Sequence, residues 1–388
     1  MYNTILVDVE KQVVDLGEDA VDRLLHNIVL QMERTGLRGS LNRVSCDKLY
    51  ITPHSGIVTE RDLEVLTRVF GIRRIHAAVR ISTDVDSITG AVCGLLKPGD
   101  SISIDVRDGD LPSLESLKRS LVEGIKKCAK YVEVSAAERG GIVSLEIFGS
   151  NAFISATEYE GAGGIPYGFV GRVASLLSGG IDSTIATWIV MRMGFSVTPI
   201  HFSLHPFYGD DAWTRVLYSL NWLREWVAED VWEAYVVPLG TIHRGVDIDH
   251  RYRCILCKLL MYRISWELAT RIGCRALVTG EALGQVASQT LHNLRFLSEK
   301  SGVPVIRPLV AFDKDEIVGI GRRLRVSEAL LKRVKSCTLY PALWGRQATT
   351  HANDRIYRAI EDAVRKSEFG SIDGIVSHAI NNTKKMVL

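Results

Sequence analysis

After residue 166 the chain alternates short apolar runs with helical patterns, and this alternation limits the fold more than any other feature. "RVASLL", "FSVTPIHFSL", "RALVTG" and "VPVIRPL" read as strands, and "STIATWIVMRMG" as a helix ended by Gly194. Apolar strands separated by helices need cover on both faces, which a parallel sheet flanked by helices provides. Ahead of residue 166 the pattern is α+β. "YNTILVDVE" reads as a strand and "GEDAVDRLLHNIVLQMERTG" as a helix closed by Gly36; "VSCDKLYITP" is a strand and "TERDLEVLTRVFGI" a helix opened by Thr59. The logic repeats with strand "DSISIDVRDGD", a helix "LPSLESLKRSLVEGIKKCAKY" with Pro112 near its start, and strands within "VEVSAAERGGIVSLEIFGSNAFISATEYEG" joined by a glycine turn. "GAGGIPYG", residues 161–168, reads as a hinge. A chain of 388 residues is too long for one ordinary core, so three domains are expected, 1–75, 76–165 and 166–388.

"SGGIDST", residues 178–184, falls between the first apolar strand of the α/β part and its helix. An open α/β sheet binds ligands at that place, beyond the carboxyl ends of its strands. Glycines let the backbone approach a phosphate, and the free N–H groups of a helix start attract anions. The stretch lacks the G-K-[ST] of a Walker loop and does not match G-x-G-x-x-G. A carboxylate inside an anion cradle would repel phosphate, so Asp182 points to Mg²⁺ between the two. The alternative is a plain glycine-serine turn capping a helix.

S-G-G-x-D-S after an apolar strand resembles the PP-loop of ATP pyrophosphatases. With "CKLLMYRISWELATRIG", "ALVTGEALGQVASQTLHNL", "VIRPLVAFDKDEI" and the hinge "GAGGIPYG", the chain resembles the tRNA 4-thiouridine synthetase family over nearly its whole length. The resemblance implies a PP-loop domain preceded by ferredoxin-like and THUMP domains, the THUMP being an RNA-binding module. It implies that ATP adenylates the C4 oxygen of the uridine at position eight of tRNA, and that sulfur then displaces AMP to give 4-thiouridine. Carried over residue by residue, Ser178, Gly179, Gly180, Asp182 and Ser183 form the pyrophosphate loop. Leu176 and Leu177 hold the nucleotide through backbone groups, and His201 and Phe202 stand at the adenine. Lys258, Gly280 and Gln289 are further ATP contacts, and Lys314 offsets charge as pyrophosphate leaves. Thr184 stands where the family often has proline, and "SISIDVRDGD" where it often has a basic strand.

The formal net charge of +2 leaves any basic surface to local clusters. The best candidate for RNA is the helix carrying Lys118, Arg119, Lys126, Lys127 and Lys130, which also reads as an ordinary solvated face. The tryptophan-rich "AWTRVLYSLNWLREWVAEDVWEAY" has the spacing of a helix packed on the sheet rather than an RNA-stacking surface. A composition of 46% hydrophobic and 24% charged residues suits a soluble globular protein. No signal peptide and no run of about 18 apolar residues is visible, so neither secretion nor a membrane is expected.

Seven cysteines without a secretory signal suit a reducing cytoplasm, where thiols serve metals or catalysis. Cys254 and Cys257, in "CILC", open a helix, where thiolates are favoured. Cys337, in "KSCTLYP", matches the family's reactive cysteine. Three converging thiolates favour an iron–sulfur cluster, 4Fe-4S, with one iron open to sulfide. Zinc with His243 or His250 as fourth ligand, persulfide chemistry, and buried inert cysteines are the alternatives. Cys46, Cys93, Cys128 and Cys274 read as small buried hydrophobes. Only about 50 residues follow Cys337 and none is cysteine, so the family's rhodanese-like domain is not expected. Sulfur is then expected from free sulfide or a cysteine desulfurase, and a role in thiamine biosynthesis loses support. The expected partners are tRNA and a second copy of the chain, a homodimer, since an RNA-binding domain on one chain would present tRNA to the active site of another. The competing functions are another PP-loop tRNA thiolase or ligase, and a catalytically idle RNA-binding protein.

Overall fold

The structure is a computed structural model that describes residues 2–96, 101–106, 111–128, 133–135, 143–209, 211–332 and 337–388. Lys130 lies outside the described residues. The chain forms two compact units, Met1–Pro166 and Tyr167–Leu388.

The first unit runs β1 (Thr4–Val9), α1 (Lys11–Asp15), α2 (Glu18–Thr35), β2 (Gly39–Arg43), β3 (Lys48–Pro53), α3 (Glu60–Thr67), β4 (Ile72–Ser82), α4 (Val85–Leu95), β5 (Ser101–Val106), α5 (Leu111–Cys128), β6 (Glu133–Ser135), β7 (Val143–Phe148), β8 (Asn151–Ser155) and β9 (Tyr159–Glu160). Its strands make one mixed sheet in the order β2-β3-β1-β4-β8-β7-β5-β6, with β9 beside β4. The local signals act as read. Gly36 ends α2 in the left-handed region, and Thr59 opens α3 with a capping box completed by Asp62. The β2 strand was not anticipated; it pairs with β3 through residues of little apolar content.

The 75/76 division expected from sequence falls inside β4, an 11-residue strand. Ala78 there stands opposite Thr4 of β1 on one side and Ser155 of β8 on the other. A buried charge cluster also joins strands from both sides of that division. Lys48 of β3 places Nζ 2.5 Å from the carboxylates of Asp8 in β1 and Glu146 in β7. Burial alone would raise the Asp8 pKa, but His76 and Lys48 beside it hold it well below the usual carboxylate range. On the far strands, Ile88 and Val92 of α4 and Leu121 and Ile125 of α5 pack on Val143, Leu145 and Ile154. This leaves Arg119, Lys126 and Lys127 exposed on α5 and Lys118 half-buried.

The second unit runs β10 (Gly171–Leu176), α6 (Ile181–Arg192), β11 (Phe195–Phe202), α7 (Asp211–Arg224), β12 (Glu233–Val237), α8 (Leu239–Gly245), α9 (Arg253–Arg271), β13 (Leu277–Val278), α10 (Leu291–Ser301), β14 (Val305–Ile306), α11 (Lys314–Arg323), α12 (Glu328–Leu331), α13 (Asp354–Lys366), α14 (Ile372–Asn381) and β15 (Lys384–Val387). The sheet order is β14-β13-β10-β11-β12-β15, parallel throughout except where β15 runs antiparallel to β12. This is the α/β class read from the alternation. The α6 helix is apolar around most of its circumference, with Ile181, Ile185, Ala186, Val190 and Met191 buried, as a helix between a sheet and other helices must be.

Two local expectations need correction. The tryptophan-rich segment is not one helix. It ends at Arg224, whose guanidinium donates to the carbonyls of Val227 and Asp230, and "EAYVV" then becomes β12 beside β11. Trp222, Trp226 and Trp232 are core, but Trp213 is exposed. The spare cysteines also differ. Cys274 is buried, whereas Cys46 sits exposed in the β2–β3 turn and Cys93 is disulfide-bonded. The side chain of Cys128 lies outside the described residues.

Candidate functional site

The β10 strand delivers the chain to the loop at its carboxyl end, and the loop folds on its own hydroxyls. Ser183 Oγ accepts from the Ser178 N–H at 3.2 Å and donates to the Gly180 carbonyl at 3.0 Å. Ser178 Oγ lies 3.0 Å from Ser183 Oγ and accepts from the Gly180 N–H at 3.3 Å. Gly179 has φ +76°, and a Cβ there would sit 2.7 Å from the Val216 nitrogen of α7, so only glycine fits. Gly180 caps α6 without any side-chain hydrogen bond. The first amides of α6 therefore lack the side-chain partner that Asp313 gives α11, and they face whatever anion the loop holds.

Asp182 sits in that first turn. Lys314, the first residue of α11, donates to its carboxylate at 2.5 Å. A lysine at a helix N-terminus opposes the helix dipole. Its presence adds a movable cation to the uncapped start of α6. Gly280 holds the other side of the turn, since a Cβ on it would lie 2.5 Å from the Ser183 nitrogen.

A cavity of about 600 Å³ opens from the loop. Leu176, Leu177, Ser178 and Gly180 form one wall, and His201, Phe202, Tyr208 and Trp213 another. Lys384, Lys385 and Met386 of β15 close its edge. His201 Nδ1 lies 2.9 Å from the Leu177 carbonyl, so Nδ1 carries the proton and Nε2 is an acceptor. Burial pushes its pKa down, which keeps the ring neutral. The Trp213 ring packs on His201 with centroids 5.7 Å apart. A mostly apolar cleft with a few fixed polar atoms, ending at an anion cradle, has the form of a nucleotide site.

Beside Gly280 lies a buried ionic knot. Glu281 accepts from Lys258, from the Tyr262 hydroxyl at 2.5 Å, from Thr279 at 3.0 Å and from Arg307 Nε at 2.9 Å. Burial opposes its charge, but Lys258, Tyr262 and Arg307 bring its pKa down to about 2. Lys258 is thus engaged with Glu281 rather than free to extend toward a ligand.

The cysteines occupy the next element. Cys254 lies in the first turn of α9 and Cys257 at the start of the second. Segment 337–349 folds onto the residues just before them: Arg346 approaches Asp249 at 3.7 Å, and the Thr349 N–H donates to the Arg251 carbonyl at 3.1 Å. Burial pushes the Cys254 thiol up to about 11, and a Cys337 thiolate pushes it further in the same direction. Cys257 is raised more, again by burial first and then by Cys337 and Cys254. The expectation that the helix start favours thiolates is therefore overturned: desolvation outweighs the dipole. Among the described residues no three His, Cys, Asp or Glu side chains stand gathered around a metal position. His243 is buried with both ring nitrogens unpartnered and its pKa down to about 4, by burial and then by Arg253. His250 stacks on Trp344.

Residues 168–363 match the family described as Thiamine biosynthesis protein (ThiI). The chain belongs to the ThiI family. It is 29% identical over 330 residues to the Methanosarcina acetivorans protein named Probable tRNA sulfurtransferase, covering 82% of this chain and 79% of that one. The Brevibacillus brevis protein of the same name is 28% identical over 380 residues, covering 95% and 91%. Over the full length of both chains, the fold is similar to a 4-thiouridine synthetase crystallised as an RNA complex with bound ATP, with TM-score 0.83 and 25% identity.

Within this ThiI chain the residues anticipated at ATP fall into three groups. Leu176, Leu177, Ser178, Gly180, His201 and Phe202 line the cavity. Gly179, Asp182, Ser183, Gly280 and Lys314 build the loop and the turn behind it. Lys258 joins the Glu281 knot, and Gln289 carries a buried, unpartnered Oε1 in the turn before α10. Sequence reasoning missed Glu281, Tyr262 and Arg307, although an acid inside "ALVTGEALG" was a visible signal of a buried charge. It also missed Tyr208, Trp213 and the β15 lysines. Among the described residues no helix is long and apolar enough to cross a membrane.

Proposed function

We propose that this protein is an ATP-dependent tRNA sulfurtransferase that converts the uridine at position eight of tRNA to 4-thiouridine. One observation carries the reading. Tyr208 lines the cavity that opens from the Ser178–Gly180 loop, and Thr338, directly after Cys337, donates its N–H at 2.8 Å and its hydroxyl at 2.9 Å to the carbonyl of the adjoining Phe207. The segment that carries Cys337 is thus hydrogen-bonded to the wall of the nucleotide cavity.

ATP takes its adenosine into the cavity, where the neutral His201 Nε2 accepts from the adenine amino group beside Trp213. The triphosphate rests on the uncapped amides of α6 and the serine hydroxyls. Uridine O4 attacks the α-phosphorus, the α–β bond breaks, and N3 gives up its proton. Lys314 leaves Asp182 for the departing pyrophosphate and stabilises its charge. Hydrosulfide then attacks C4, its proton passes to N3, the C4–O bond breaks and AMP leaves. The sequence consumes uridine, ATP and hydrosulfide, yields 4-thiouridine, AMP and pyrophosphate, and needs no oxidant or reductant.

Two groups fit the residues present. One carboxylate against a triphosphate is how Mg²⁺ is usually held, and Asp182 is that carboxylate. Cys254, Cys257 and Cys337 are half-buried thiols close enough for the charge of one to raise the next, which suits a cationic partner; they are not gathered around a metal position as they stand, and drawn together they would hold an iron–sulfur cluster. Such a cluster supplies an iron that binds hydrosulfide. The exposed Lys126, Lys127 and Arg119 of α5, with Lys118, are the residues we assign to tRNA phosphates. Work on tRNA with ATP suits a cytoplasmic protein.

The test is AMP formation from labelled ATP with an unmodified tRNA transcript. AMP should appear with the transcript and not when cytidine replaces uridine at position eight. Equal AMP from both transcripts would refute the assignment.

A further inference from the structure

The sulfur-bearing elements carry an aromatic surface that the reaction described above does not use. Trp344 is 58% exposed, and its neighbours Leu343 and Tyr340 are also exposed. One face of the indole is covered by His250, with ring centroids 4.6 Å apart and planes 8° from parallel. Its edge is pinned, because Nε1–H donates to the Thr338 carbonyl at 3.1 Å. An exposed tryptophan held flat in this way has lost its rotamer freedom before any ligand arrives.

The surface is basic as well as aromatic. Arg251 and Arg346 both approach the single carboxylate of Asp249, at 2.7 Å and 3.7 Å, which leaves one positive charge in excess. Hydrogen bonding to Arg251 first, and its charge second, hold Asp249 at about 2, so this balance does not change near neutral pH. A flat exposed ring on a surface that also carries guanidinium groups is the usual receiver of an unstacked base on a phosphate backbone.

Its position fixes which base. His250 begins the turn that runs into α9, four residues before Cys254. Thr338, which pins the indole, follows Cys337 directly. The platform is therefore built on both elements that carry the thiols.

We propose that Trp344, backed by His250, is a stacking platform for an unpaired tRNA base next to the target uridine, positioning that uridine at the thiols. This rests on the proposed sulfurtransferase reading and adds the residue that orients its substrate. To reach chemistry inside a folded RNA, the target must leave its stack, and a neighbouring base then needs a new partner.

The experiment compares wild-type protein with Trp344→Ala and Trp344→Phe, each checked for an unchanged thermal midpoint. Unmodified tRNA transcript should quench a component of the tryptophan emission that is absent from Trp344→Phe, and a fully paired RNA duplex should not. Stacking of about 1–3 kcal/mol per base predicts that Trp344→Ala raises the KM for tRNA roughly 5- to 150-fold, with the KM for ATP unchanged. Trp344→Phe should recover most of the loss. An unchanged KM for tRNA and equal quenching by duplex would overturn the platform while leaving the sulfurtransferase reading intact. Quenching without any thiolation by the wild type would overturn that reading and leave the platform. Loss confined to reactions in which a protein supplies the sulfur would assign the surface to that donor and overturn the proposal.

Discussion

Replacing Glu281 by glutamine should destabilise the second unit severely, and the size follows from its partners. The side chain is 4% exposed and balances two cations, Lys258 and Arg307. Lowering a carboxyl from 4.5 to about 2 corresponds to about 3 kcal/mol of folding stability at neutral pH, at roughly 1.36 kcal/mol per pH unit. Glutamine keeps the shape and can still accept from Tyr262 and Thr279, but it leaves two half-buried cations without a counter-charge. Removing one partner of a buried pair costs about 3–5 kcal/mol, in agreement with the first figure. For a unit of this size, each kcal/mol moves the midpoint by about 2–4 °C, so Glu281→Gln should lower it by about 6–20 °C. The pH dependence has a definite sign. A carboxylate with a depressed folded pKa stabilises above its unfolded value, so the gap between wild type and variant is full above about pH 5 and closes as pH falls toward 2. Differential scanning calorimetry from pH 7 to pH 3 measures both. A fall of less than about 2 °C at pH 7, or a gap that widens in acid, would refute the reasoning.

Gly280→Ala places a Cβ against the backbone of Asp182 and Ser183 and should raise the KM for ATP far more than the roughly 1–3 kcal/mol of overpacking lowers stability; ATP titrations beside thermal melts decide it. Asp182→Ala should abolish AMP formation while tRNA binding by filter assay is retained, and surviving turnover would remove the loop from the active site. Cys254→Ala should leave tRNA-dependent AMP release intact and stop formation of the thionucleoside, whereas loss of both steps would make the cysteine structural. Iron and acid-labile sulfide, measured on protein purified without oxygen, should fall together in that variant, and zinc in their place would refute the cluster.

The sheet of the second unit and its loop were legible because both depend on local signals. An apolar run ending in S-G-G-I-D-S and followed by an apolar helix has few other ways to fold. Gly36 and Thr59 announced helix ends by capping chemistry that acts within four residues. What escaped the sequence depends on long-range pairing. The β15 strand, "KKMV", alternates too little to read as a strand and exists because β12 offers it an edge. Glu281 and Arg307, 26 residues apart, meet only through the parallel pairing of β13 and β14. His250 and Trp344 meet because segment 337–349 folds back onto the start of α9. The rise in thiol pKa was hidden for a related reason, since the helix start is local but the burial that outweighs it is tertiary.

The most direct test of the account is nucleoside mass analysis of an unmodified tRNA transcript incubated anaerobically with this protein, ATP and sulfide. The account predicts one sulfur-for-oxygen exchange at the uridine of position eight, in equal amount to AMP, and neither product with Asp182→Ala. Sulfur at another nucleoside, or a thionucleoside formed without AMP, would contradict it.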